Sequence, residues 1–118
     1  MNFNSVLIGS ENAEALVEYY TRVFGEPAFN QGGYAGWQLG DGFITVGPHS
    51  EVHGKNSQPG RVLLNIETDD VQGDFERLKA AGAIVIKEPY QMDGESGWIS
   101  TLADPDDNYF QLNTPFQP

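Results

Sequence analysis

The stretch SENAEALVEYYTRVFG, residues 10–25, decides the organisation of this chain, because a stretch of similar design, TDDVQGDFERLKAAG, follows at residues 68–82. The first stretch begins with Ser10, whose hydroxyl can cap a helix, and the second with Thr68-Asp69-Asp70, a helix start; each ends on a glycine. Between these signals apolar side chains recur three and four residues apart, which is typical of an amphipathic helix. We therefore expect two helices at equivalent positions of an internal repeat.

Short β-rich runs surround both helices in the same order. One run precedes each helix, at residues 4–8 and 61–66, and three follow it. In the first half, Gly40-Asp41-Gly42 is a strong hairpin signal within residues 25–48. In the second half the three runs lie at residues 83–86, 98–102 and 108–112. The pattern predicts an α+β fold of two tandem β-α-β-β-β units.

The length of 118 residues fits a single domain, 1–118, built from both units. We place unit one at residues 1–49 and unit two at residues 61–118. The segment between them, residues 50–60, is rich in Gly, Ser, Asn and Pro, as expected of an exposed linker.

Composition excludes several kinds of site. The chain has no cysteine, which removes disulfides, thiolate nucleophiles and Cys-ligated metals. Six Lys plus Arg stand against seventeen Asp plus Glu, for a net charge of −11, so nucleic acid and anionic membranes are poor partners. No Gly-rich loop followed by a helix is present for phosphate capture, so phosphorylated cofactors are not expected. The N-terminus has no basic, signal-like region, and a soluble cytoplasmic protein is the expectation.

Two motifs resemble those of the vicinal oxygen chelate superfamily, which contains glyoxalase I, bleomycin-resistance proteins, fosfomycin-resistance enzymes and extradiol dioxygenases. Residues 19–25, YYTRVFG, are similar to that family's F-Y-x-x-x-L-G helix end, and residues 103–112, ADPDDNYFQL, to its D-P-D-G-N-x-x-E-L turn and strand. The resemblance covers nearly the whole chain. It implies a curved, partly open mixed sheet, a ligand cleft between the repeat units, and a homodimer. Because one fold hosts many chemistries, it leaves catalysis undecided.

The family's enzymes bind a metal through the first and last strands of each unit. Aligned on the two motifs, those positions are Ser5, Thr45, Leu63 and Gln111. They offer two hydroxyls, one neutral amide and one hydrocarbon, whereas a divalent cation prefers imidazole or carboxylate ligands. We therefore expect neither the family's metal site nor a cofactor.

A small organic molecule, aromatic or cationic, is the expected ligand, and the acidic charge balance favours a cation. The candidate binding residues are Ser5, Trp37, Thr45, Asn65, Glu67, Trp98, Tyr109 and Gln111. Tyr34, Phe43 and Tyr90 are further aromatic candidates that could stack a planar ligand. The sequence leaves open whether Trp37 and Trp98 line the cleft or belong to the core. Strand alternation puts Tyr109 on the face of Gln111 and Phe110 against a helix.

The alternative function is a metal-dependent lyase, isomerase or dioxygenase whose ligands have moved to Glu67, His49 or His53. The two histidines flank Glu51 in a His-Ser-Glu-Val-His run, but the run lies at the start of the polar linker, where exposed loop residues are expected. The acidic cluster at residues 104–108 lacks the spacing of a calcium loop and predicts a turn.

Overall fold

The protein is described from a computed structural model, which covers residues 1–91, 94 and 96–115. The chain divides into two compact units, Met1–Gly54 and Lys55–Pro118. The prediction of one 118-residue domain stays a prediction, and the last three residues of the predicted second unit lie outside the described part.

The first unit contains one helix and a four-stranded sheet. Its elements are β1 (Val6–Ser10), α1 (Ala13–Phe24), β2 (Phe29–Gln31), β3 (Tyr34–Leu39) and β4 (Gly42–Pro48). The sheet order is β1-β4-β3-β2, with β1 parallel to β4 and the other pairs antiparallel. A parallel pair needs a long crossover connection, which α1 and the following two strands provide.

The second unit repeats this arrangement. Its elements are β5 (Leu64–Glu67), α2 (Val71–Ala80), β6 (Ile84–Gln91), β7 (Trp98–Ala103) and β8 (Tyr109–Asn113). The sheet order is β5-β8-β7-β6, with β5 parallel to β8. The predicted α+β fold of two tandem β-α-β-β-β units is therefore confirmed, and both sheets are open.

Some element ends differ from the prediction. The first helix begins after Asn12 rather than Ser10, because the Ser10 hydroxyl accepts from the backbone N–H of Asn12 at 3.0 Å and holds a turn before the helix. The second helix does begin at its predicted start, residues 68–70, where the Asp70 carboxylate caps it by accepting from Gly73 N–H at 3.0 Å. Strand β6 runs well past the predicted end at residue 86, although its register shifts twice against β7.

Each unit has its own core between helix and sheet. In the first, α1 packs against β1, β3 and β4, and aromatic side chains of the helix lie close to Trp37. In the second, α2 packs against β6, β7 and β8. The buried side chains of the first core include Leu16, Tyr19, Tyr20, Val23, Ala35, Trp37, Ile44 and Val46. Those of the second include Val71, Phe75, Leu78, Leu102, Phe110 and Leu112.

Candidate functional site

Each sheet has one face packed against its own helix and one face turned away from it, here called the helix-free face. In the first unit, Trp37 marks the helix side, because its ring centroid lies 6.1 Å from that of Tyr20 on α1. Alternation then places Gly36 and Thr45, which pair across β3 and β4, on the helix-free face. Since functional side chains must be reachable by a ligand, the helix-free faces are the candidate site.

The helix-free face of the first sheet carries uncharged side chains. Thr45 is half-buried at its centre, with Leu7 on β1 and Gly36 on β3 as its direct neighbours. Ser5 lies just before β1, on the side of Leu7 by alternation, where it is exposed and donates to Asn4 Oδ1 at 2.8 Å. The structure therefore puts the predicted residues Ser5 and Thr45 on one face.

Two glycines of this face make room for three aromatic rings, Phe29, Tyr34 and Phe43, which we call the aromatic shelf. A Cβ on Gly36 would lie 2.5 Å from Phe29 Cε1 and 2.7 Å from Phe43 Cζ. A Cβ on Gly47 would overlap the ring of Tyr34. The rings occupy this space because the glycines have no side chain.

The aromatic shelf is held in place by its own contacts. The Phe29 and Phe43 rings are 6.0 Å apart between centroids and tilted by 17°, an offset stack. The Tyr34 hydroxyl donates to the carbonyl of Pro48 at 3.1 Å. Sequence reasoning had considered Tyr34 and Phe43 but missed Phe29, Gly36 and Gly47. The two strand glycines could have indicated this arrangement, since a glycine inside a strand often marks a close approach of another group to the backbone.

The second helix-free face carries hydrogen-bonding groups in a line across the strands. Asn65 on β5 pairs with Gln111 on β8, and Gln111 pairs with Thr101 on β7. We call these three residues the polar row, and Lys87 of β6 continues it. Gln111 Nε2 lies 3.4 Å from Thr101 Oγ1, a long hydrogen bond in which the amide donates. The predicted residues Asn65 and Gln111 are thus direct neighbours.

The rows beside the polar row contain two other predicted residues. Glu67 is exposed on β5 and pairs with Asn113 of β8. The Asn113 amide donates to the Thr114 carbonyl at 3.1 Å, while its Oδ1 is buried without a hydrogen-bond partner among the described residues. Tyr109 is half-buried on the face of Gln111, whereas Phe110 is fully buried, as alternation predicts.

The two tryptophans lie on the helix sides of their sheets, opposite the helix-free faces. Trp37 is 2% exposed, and its indole N–H donates to the Gly25 carbonyl at 2.8 Å, at the end of α1. Trp98 is half-buried and, by alternation, shares the side of Ser100 and Leu102, whose β8 partners are buried. Both tryptophans therefore lie on the helix sides of their sheets, and a ligand contact by Trp37 or Trp98 stays a prediction.

The two histidines lie in the exposed loop that follows β4. His49 Nδ1 accepts from the backbone N–H of Glu51 at 3.1 Å, and His53 Nδ1 lies 3.1 Å from Glu11 Oε2. Within residues 1–91, 94 and 96–115, no three His, Asp or Glu side chains are grouped so that they could hold a metal ion. The His-Ser-Glu-Val-His run therefore contacts its own backbone through His49, and it contacts Glu11, before α1, through His53.

The acidic cluster at residues 104–108 forms a turn between β7 and β8. Asp104 is fully buried, and its Oδ1 accepts from the backbone N–H groups of Asp106 and Asn108 at 2.8 and 3.0 Å. Its Oδ2 accepts from Asn108 Nδ2 at 2.9 Å. Asp107 adopts a φ of 62°, the left-handed conformation. These contacts support the predicted turn, because the central carboxylate is occupied by the turn's own donors.

Comparisons with known proteins agree with this architecture. A family model described as glyoxalase-like domain matches residues 5–113. A protein of Mycolicibacterium smegmatis, described only as uncharacterized, is 27% identical over 85 residues, which cover 72% of this chain and 71% of that protein. Among the helices of the described residues, none is long and apolar enough to cross a membrane.

Solved structures with the same fold span almost the whole chain. A glyoxalase/bleomycin resistance protein/dioxygenase family enzyme from Burkholderia phytofirmans is 25% identical, with a TM-score of 0.77 over 98% of this chain and 100% of that one. A glyoxalase-related enzyme from Fulvimarina pelagi is 20% identical, with a TM-score of 0.78 over 98% of this chain and 88% of that one.

Proposed function

The chain belongs to the glyoxalase-like domain family, and from this premise we propose that it binds a small organic molecule without the metal ion of the family's enzymes. The observation that carries the proposal is the polar row. Asn65, Gln111 and Thr101 are adjacent hydrogen-bonding groups without charge on a helix-free face. Such groups orient a ligand rather than act as strong acids or bases.

The four positions at which the family resemblance implies metal ligands do not fit a divalent cation. Ser5 and Thr45 supply hydroxyl oxygens, Gln111 supplies a neutral amide, and Leu63 supplies no donor atom. Zinc and the hard divalent cations are held mainly by imidazole, carboxylate or several carbonyl oxygens. These side chains therefore favour hydrogen bonding to an organic ligand over metal coordination.

The polar row favours a ligand that both donates and accepts hydrogen bonds. Each side-chain amide presents an oxygen acceptor and an NH₂ donor, and the Thr101 hydroxyl can do either. The bond from Gln111 to Thr101 is long, at 3.4 Å, so its exchange for a better ligand contact costs little. Exposed Glu67 stands in the next row, beside Asn113, and adds a negative charge that a cationic group can approach.

Binding tests this proposal directly. A library of small aromatic and cationic fragments is screened by equilibrium dialysis, and the best binder is titrated against wild type and Gln111→Leu. We expect about fivefold weaker binding by Gln111→Leu, because one lost hydrogen bond is worth about 1 kcal/mol. Gln72→Leu, an exposed position on α2, is the matched control. No binder in the library, or equal affinity of Gln111→Leu and wild type, would refute the proposal.

The alternative, a metal-dependent enzyme using Glu67, His49 or His53, is not favoured by the described contacts. His53 is paired with Glu11, and His49 with the backbone of Glu51. Elemental analysis of protein purified without a His-tag separates the two functions. We expect no stoichiometric metal; one metal per chain that is lost in Glu67→Gln and His49→Ala would establish the alternative instead.

The proposal includes a homodimer in the cytoplasm. The dimer is carried over from the family resemblance, and the cytoplasm from the absence of cysteine. Size-exclusion chromatography with light scattering should give twice the 13.0 kDa mass of the chain. A mass of 13.0 kDa at micromolar concentration would remove the dimer and leave the binding proposal standing.

A further inference from the structure

We propose that the aromatic shelf is a stacking site for a planar aromatic cation. This inference rests on the proposed function, in that it names the class of small molecule bound, but it uses residues outside the polar row. Its evidence is the space above Gly36, filled by the stacked Phe29 and Phe43 rings, the space above Gly47, filled by Tyr34, and the charges of the first unit.

The shelf is preorganised for stacking. Phe29 and Phe43 come from β2 and β4 and meet over Gly36, with their rings tilted by only 17°. Tyr34 is tied to Pro48 through its hydroxyl. Because these rings are already ordered by neighbours, a ligand that stacks on them loses less side-chain entropy than one that must order free rings.

The shelf is also accessible within its unit. Phe29 and Tyr34 are each 38% exposed, and Leu7, in the row of Thr45 and Gly36, is 51% exposed. Aromatic rings gain from offset stacking in addition to the burial of apolar area. A third planar ring would extend the existing stack, whereas an aliphatic group would gain from burial alone. This geometry selects a planar unsaturated ligand.

Charge selects a cation over an anion. Residues 1–54 contain six acidic side chains and a single basic one, Arg22. Arg22 lies on α1, where it is 3.2 Å from Glu18 and over the Tyr19 ring. The strand positions of the helix-free face in this unit carry no charged residue. A positive ligand therefore meets the negative faces of aromatic rings in a negative field, while an anion meets no counter-charge there.

The experiment separates ring shape from charge. Proflavine, a planar aromatic cation, is titrated by its fluorescence at 0.15 M salt. Three comparison compounds are 1-naphthol, which is neutral, 2-naphthalenesulfonate, which is anionic, and tetrabutylammonium, a cation without a ring. We expect proflavine to bind most tightly, and ¹H–¹³C spectra of the aromatic side chains to shift at Phe29, Tyr34 and Phe43.

Variants then locate the binding. Phe29→Leu keeps an apolar side chain at a partly exposed position but removes the ring, and we expect about tenfold weaker proflavine binding. Gly36→Ala forces both phenylalanine rings to move and should have a similar effect. Gly60→Ala, where an added Cβ meets no atom within 4 Å, is the matched control and should bind as wild type does. Circular dichroism confirms that each variant is folded.

Four outcomes would overturn the inference. The inference is wrong if Phe29→Leu and Gly36→Ala bind proflavine as wild type does, or if 2-naphthalenesulfonate binds as tightly as proflavine. It is also wrong if tetrabutylammonium matches proflavine, or if Phe29→Leu changes the oligomeric state, which would make a second copy the occupant. Loss of binding in Gln111→Leu with full binding in Phe29→Leu refutes the shelf and keeps the proposed function. The reverse pattern supports the shelf and refutes the polar row.

Discussion

Replacing Asp104 should destabilise the second unit because this fully buried carboxylate holds the turn between β7 and β8. Its two oxygens accept three hydrogen bonds, from the backbone N–H groups of Asp106 and Asn108 and from the Asn108 amide. In Asp104→Ala all three donors lose their acceptor. An unsatisfied buried donor costs about 1–3 kcal/mol, and partial access of water to the turn reduces this cost. We therefore expect a loss of about 2–4 kcal/mol in the free energy of unfolding.

Asp104→Asn separates hydrogen bonding from charge. It keeps one oxygen, which can serve the two backbone donors, but places an NH₂ group toward the Asn108 amide donor. The expected loss is about 1–2 kcal/mol, smaller than for Asp104→Ala. The control is Asp69→Asn at an exposed position, because removing any carboxylate from a chain of net charge −11 relieves some repulsion.

Urea denaturation followed by circular dichroism measures these differences, provided that the slope with urea is the same in all variants. The order expected for the free energy of unfolding is Asp69→Asn, then Asp104→Asn, then Asp104→Ala. If Asp104→Ala lies within about 0.5 kcal/mol of Asp69→Asn, the range of ordinary surface substitutions, the turn is not held by this carboxylate.

Three further predictions concern backbone strain, core packing and salt. Asp107 has a φ of 62°, so in urea denaturation Asp107→Gly should be more stable than Asp107→Ala by about 1 kcal/mol; equal stabilities would contradict strain there. Trp37→Phe removes a core hydrogen bond and ring volume, and thermal melting should show a loss of about 2 kcal/mol, whereas half-buried Trp98→Phe should lose less than about 1 kcal/mol. Proflavine binding should weaken several-fold when the salt concentration is raised from about 0.02 to about 0.5 M, because screening becomes strong over that range. Stacking should preserve part of the affinity. An affinity that does not depend on salt would rule out a contribution from charge attraction.

Much of the fold was predictable because local signals and tertiary structure agree. The apolar stripe that ends at Gly25 and the acidic helix start before Val71 both lie where the helices form. The three strands after each helix also form as predicted. Element ends were less predictable. Ser10 and Asn12 are both acceptable caps by residue type, and only the observed hydrogen bond shows that Ser10 belongs to the preceding turn.

The candidate site was predictable only in part. Alternation tells which residues of one strand share a face, but it does not tell which face the helix covers. The family resemblance put Gln111 on the ligand side of its strand, and alternation then places Tyr109 on the same face. The burial of Phe110 agrees with this. For Trp37 no such reference existed, and a large aromatic residue suits core and ligand site equally. The prediction that the remaining residues bind a ligand stays a prediction.

The two helix-free faces differ in chemistry although their strands are paired in the same order. In the central row of the first sheet stand Leu7, Thr45, Gly36 and Phe29, and in that of the second Asn65, Gln111, Thr101 and Lys87. On the helix sides the repeats remain alike, with buried Trp37 next to Gly36 and buried Leu102 next to Thr101. Helix packing explains this likeness, since an apolar core constrains both repeats in the same way. No such constraint acts on the helix-free faces. Their divergence into an aromatic shelf and a polar row fits the two kinds of ligand contact that we propose.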